Sequence, residues 1–247
     1  MLREKLIEHH LPGTFRWRGV EIARVEGLSD AVFAFAVTLL VVSLEVPKTF
    51  SELTALMSGF VPFAICFAML MQVWHEQFLF FRRYNLQDTV SLMLNFSLLF
   101  VVLFYVYPLK FLFTVLVREW TGAGIAVRLA NGATEKMVEP HQIPQLMSVF
   151  SGGYMAVSLV FLLLFLRALG KRAELRLNPI EVFETRVSIG ASLVNLAVGS
   201  ISIVAALSGR GDLAGIIYPI LLGPGITLFR TVTARKRRQL IALQDAS

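Results

Sequence analysis

The chain has 247 residues, of which 56% are hydrophobic and only 16% charged. A soluble domain of this size carries about 25% charge, so the composition excludes an ordinary soluble enzyme or binding module and points to an all-α integral membrane protein. The net charge is +6, but the basic residues stand beside apolar runs, which is a membrane-topology pattern and excludes nucleic-acid binding as its cause.

The first twenty residues, MLREKLIEHHLPGTFRWRGV, mix charged and apolar side chains and hold no signal-peptide core. Residues 1–27 are read as a cytoplasmic segment, and the first apolar span is expected to stay in the mature protein. That span, predicted over residues 28–46, follows an abrupt polar entry: RVEGLSDAVFAFAVTLLVVSLEVP, residues 24–47. Phe35, Thr38, Leu39 and Val42 fall on one stripe at helical spacing, with Ala31 at its start and Ser43 near its far end. Small residues, Ala34 and Ala36, allow close helix approach. Ser29 and Asp30 admit two readings. One is a helix cap complementing the dipole. The other is an interhelical polar network with Arg24, with Trp74 and His75 of the second span, and with Asn95 of the third, since lipid satisfies none of these groups.

Further spans are predicted over 53–80, 89–117, 145–168, 184–207 and 213–232, giving six transmembrane helices and no soluble domain. Pro62 and Pro108 are expected to kink the second and third spans. Cys66, the one cysteine, excludes an internal disulfide and reads as a small apolar side chain. The long connection 118–143 is read as an external hairpin or cap. The last span, GIIYPILLGPGITLF, carries Pro219, Gly223, Pro224 and Gly225 and is the one expected to be bent or broken. Residues 28–232 then form one membrane domain, followed by a basic tail at 233–247 that reads as a topology anchor, with anionic lipid head groups as the alternative contact. With the N-terminus inside, seventeen Lys and Arg side chains lie on the cytoplasmic side and six outside, so both termini are predicted cytoplasmic in the cell membrane.

No catalytic set emerges. His75-Glu76 begins a helical zinc motif, but the second histidine it needs is replaced by Leu79, and His9-His10 have no third ligand nearby. No metal or cofactor is expected. A secondary transporter is the rival reading, resting on the Gly/Pro-broken last span and on Ser192, Asn195 and Ser202 in the fifth.

The stretch Arg24-Val25-Glu26-Gly27-Leu28-Ser29-Asp30 resembles the RxxxFSD signature of the transmembrane-protein-175 family of potassium channels. Its continuation from Ala31 to Val41 resembles that family's GVFAIAITLLV, and VWHEQFLFF and LMLNFSLLFVVLFYVYPL resemble its Trp-His and Asn-bearing helices. The resemblance implies a homotetramer of six-span subunits conducting K+, with the first span lining the pore. It implies an apolar constriction at Phe35, Leu39 and Val42, selectivity at Thr38, and a cytoplasmic-side network of Arg24, Ser29, Asp30, Trp74 and His75. Three positions depart from the pattern: Leu28 stands for Phe, Ala31 for Gly, and Phe35 for Ile or Leu at the narrowest point.

Overall fold

The computed structural model describes residues 15–19, 21–42, 47–128, 132–209 and 215, 217 and 218. Among these the chain is helical apart from one small hairpin. We number the helices α1 (Arg24–Val42), α2 (Phe50–Ser58), α3 (Phe60–Tyr84), α4 (Thr89–Trp120), α5 (Ile143–Gly170) and α6 (Pro179–Leu207). Four of them, α3, α4, α5 with the 3-10 turn Pro140–Gln142 that precedes it, and α6, are long and apolar enough to cross a membrane. The expected sixth span and the basic tail lie outside the described residues, apart from Gly215, Ile217 and Tyr218.

The second predicted span differs from the structure at its start. The helix there is interrupted at Gly59, so α2 is a separate nine-residue helix, too short to cross, and α3 begins at Phe60. This also places Pro62 in the first turn of α3, where its missing N–H is one of the groups with no intrahelical partner in any case. Pro62 therefore interrupts nothing, whereas Pro108 lies inside α4. α3 stops at Asn85, whose left-handed conformation (φ 49°) lets its N–H return to the Phe81 carbonyl.

The connection after α4 folds as an antiparallel pair, β1 (Ala126–Arg128) with β2 (Thr134–Lys136), Val127 opposite Glu135. α6 opens with Asn178 and Glu181 in a reciprocal capping box and Pro179 at its first position. α5 packs along α6 and against α4, and α1 lies against α3 and α4. Two glycines permit these close contacts: a Cβ on Gly153 would overlap the Tyr105 ring, and one on Gly199 would overlap Met155.

The core joins these layers through aromatic contacts. Phe80 and Tyr84 of α3 meet Phe165 of α5, at 5.7 and 6.3 Å between centroids, and Phe15 meets Tyr84 edge-on at 5.3 Å. Residues 15–19 thus lie across the end of the bundle where α1 begins. There the Arg18 and Gly19 amides donate to the Arg82 carbonyl.

Candidate functional site: the two faces of the first long helix

α1 starts at Arg24, more than a turn before the predicted span, so neither Ser29 nor Asp30 caps it. The Glu26 carboxylate serves the helix entrance instead, accepting from the Ala23 amide and lying 3.7 Å from Arg82. Ser29 and Asp30 are free to look sideways to other helices.

One face of α1 is closed within the subunit. Ser29, Phe33, Ala36 and Leu40, spaced four, three and four residues apart, are buried against α3 and α4. At the Ser29 level the contact is polar. Ser29 Oγ donates to the Val25 carbonyl at 2.7 Å and accepts from Asn95 Nδ2 at 3.0 Å. Asn95 Oδ1 in turn accepts from Gln77 Nε2 at 3.0 Å. Three helices are linked there by neutral groups, all of them buried. Beside this chain, Trp74 Nε1 donates to Asp30 Oδ1 at 2.7 Å, and the Trp74 ring stacks on Phe78.

The predicted network is therefore only partly assembled. Ser29, Asp30, Trp74 and Asn95 come together. His75 is exposed and stacks on Phe78, and Arg24 is exposed with no hydrogen bond or ion pair among the described residues. Arg24 points away because it precedes Ser29 by five residues, about 140° around the helix. Gln77 was missed. It follows His75 and Glu76 at the end of a polar stretch, so nothing local separates it from those exposed neighbours; only its place three residues after Trp74, toward the Ser29 and Asn95 level, could have pointed to it.

The other face of α1 is open. Leu28, Ala31, Phe35 and Thr38 are exposed, with Phe35 55% accessible, and Leu39 is half-buried at the margin. This stripe lies roughly 130° around the axis from the buried one. The Thr38 hydroxyl donates to the Ala34 carbonyl at 3.0 Å. A hydroxyl has one hydrogen and two lone pairs, so with the hydrogen directed down the helix the oxygen presents acceptor capacity outward. Val42 is the last described residue of α1, and its side chain and Ser43 lie outside the described residues.

Of the three fifth-span polar groups expected to mark a transport site, Ser192 and Ser202 have partners, while Asn195 is half-buried with no side-chain hydrogen bond among the described residues. Ser192 Oγ donates to the Ser188 carbonyl, and Ser202 Oγ accepts from Ser151, which also accepts from the Tyr218 hydroxyl.

The chain is similar to known proteins over most of its length. The sequence model of the family described as "Endosomal/lysosomal potassium channel TMEM175" matches residues 24–105, the segment running from α1 to about the middle of α4. A protein of Marivirga tractuosa named "Potassium channel" is 40% identical over 238 residues, 94% of each chain. A second, from Chamaesiphon minutus, is 28% identical over 149 residues, 57% of this chain and 63% of the other. In three dimensions the fold is similar to the crystal structure of a T38A variant of the potassium channel MtTMEM175, solved with a Nanobody-MBP fusion protein. The TM-score is 0.77 at 37% identity, over 91% of this chain and 99% of that one.

Proposed function

The chain belongs to the TMEM175 family, and from that membership we propose that it is a cell-membrane potassium channel in which the open face of α1, repeated around an axis in a homotetramer, lines a passive cation conduit. The observation that carries this reading is the division of α1 into two faces. The buried face is bonded within the subunit, while the family-motif stripe of Phe35, Thr38 and Leu39 is left outside it.

On this reading Phe35, Leu39 and Val42 narrow the conduit. An ion in an apolar neck loses hydration at large cost, so such a ring closes by drying and opens by widening until water enters. Phe35 adds ring faces that attract cations once the neck is wet. Thr38 supplies the polar contact. Its hydrogen is held by the Ala34 carbonyl, so each subunit offers an oxygen and no competing donor. A ring of such oxygens replaces part of a hydration shell. K+ sheds water more readily than Na+, so K+ is preferred modestly. The neutral Ser29–Asn95–Gln77 chain and the Asp30–Trp74 bond hold α1 at its cytoplasmic end. Six spans with both termini cytoplasmic complete the subunit, and the basic tail at 233–247 meets anionic head groups.

The test is Thr38→Ala in purified protein in a planar bilayer, with K+ on one side and Na+ on the other. A reversal potential moved toward zero is expected. An unchanged value would remove Thr38 from selectivity.

A further inference from the structure

Lys110 lies within α4, between Leu109 and Phe111 and about 15 Å short of that helix's end at Trp120. An ammonium group within a span is costly unless it is held, and an apolar side chain would pack there without that cost. Its Nζ donates to the main-chain carbonyl of Leu40 at 2.7 Å. Leu40 is fully buried and sits in the last described turn of α1, two residues beyond Thr38 and five beyond Phe35. A main-chain carbonyl oxygen has two lone pairs, so one that already accepts a helical bond can still accept from a lysine.

The same helix, α4, also supplies Asn95, which donates to Ser29 near the other end of α1. Ser29 and Leu40 are eleven residues apart, so they lie within about 20° of one azimuth and some 16 Å apart along the axis. α4 therefore grips α1 at two heights along a single line. A helix held at one height is able to pivot, whereas one held at two heights on the same line has its rotation set. That rotation decides where Phe35 and Thr38 point.

We propose that Lys110 is a positioning residue for conduction: its bond to the Leu40 carbonyl, acting with Asn95 at Ser29, fixes the rotational setting of α1 and so the aim of the Thr38 oxygen and the Phe35 ring. This rests on α1 lining the conduit. It predicts that selectivity responds to a side chain that lies on the opposite side of α1 from the permeant ion.

The experiment compares Lys110→Met, Lys110→Gln and Lys110→Arg with the wild type in planar bilayers, each checked for assembly by size-exclusion chromatography. Lys110→Met, which fills the space but donates nothing, should move the bi-ionic K+/Na+ reversal potential toward zero. Lys110→Gln is one bond shorter and should shift it the same way, which decides the matter where the Met variant does not assemble. Lys110→Arg retains a donor of sufficient reach and should restore the wild-type reversal potential. An assembled Met or Gln variant with wild-type reversal potential and unitary conductance overturns the proposal, as does an Arg variant as impaired as Met. Thr38→Ala is run alongside. If it too leaves selectivity unchanged, Thr38 is removed from selectivity and the reading on which this proposal rests fails with it. If it shifts selectivity while the Lys110 variants do not, only the positioning role is lost.

Discussion

Ser29, Gln77 and Asn95 meet without a formal charge among them, whereas Arg18 and Glu181 meet as a full ion pair. The two clusters stand at different depths. Gln77 and Asn95 lie roughly 10 Å inside the ends of α3 and α4, while Glu181 is in the first turn of α6. At the helix ends Glu181 binds the Arg18 guanidinium through both oxygens, at 2.6 and 3.2 Å, and also accepts the Arg16 and Asn178 amides. Arg18 donates further to the Leu175 and Arg83 carbonyls. This clamp ties residues 15–19 to α3 and α6. The deeper cluster acts on α1 itself. The difference reflects the medium: an ion pair is tolerable where every lone pair and proton finds a partner, and neutral amides and hydroxyls serve where a charge would be stranded in hydrocarbon.

Three substitutions sharpen that contrast, in falling order of effect. Glu181→Ala leaves Arg18 charged, largely buried and unpaired. It should cost about 3–5 kcal/mol and appear as a clear drop in thermal unfolding temperature in detergent. A small drop would mean that water enters the clamp and that the ends are no different from an ordinary surface. Asn95→Leu removes an acceptor from Gln77 and a donor from Ser29 without stranding a charge, so about 1–3 kcal/mol is expected by the same assay. A loss equal to that of Glu181→Ala would erase the distinction between the layers.

Asp88 supplies the weak extreme. It accepts from Ser91 Oγ at 2.7 Å and pairs with Arg167 at 2.8 Å, but both charged partners are partly solvated. Burial alone would raise its carboxyl, yet the Ser91 hydrogen bond and Arg167 outweigh that and hold it below the ordinary carboxylate value. A lowered folded-state value means the contribution is complete above the unfolded value of about 3.9 and fades as pH falls through the folded one. Asp88→Asn should therefore cost less than about 1 kcal/mol at neutral pH, and the difference from wild type should vanish in strong acid.

Much of the site is legible in the sequence because membrane depth is. The apolar runs locate the long helices, and Ser29, Trp74 and Asn95 declare themselves as polar groups that lipid cannot satisfy. Helical periodicity separates Phe35 and Thr38 from Ser29 and Leu40. What escapes is whatever depends on distant chain segments. Arg18 and Glu181 are 163 residues apart and no local pattern joins them. Arg24, part of a recognisable motif, has its azimuth set by a helix start that the polar entry obscures. The break at Gly59 is hidden because apolar residues continue on both sides. Lys110 is visible as a charge in a greasy run, but its partner is a main-chain carbonyl, which no side-chain pattern can announce.

The central claim is that the exposed face of α1, and not its buried face, borders the path of the ion. Cys66 is buried and is the sole cysteine, so a Cys66→Ser background accepts single reporters cleanly. Phe35→Cys and Phe33→Cys, two residues apart and on opposite faces, should be treated with a charged methanethiosulfonate reagent during bilayer recording. The account predicts irreversible block or altered current for Phe35→Cys and none for Phe33→Cys. Modification of current at Phe33→Cys, with Phe35→Cys indifferent, would contradict it.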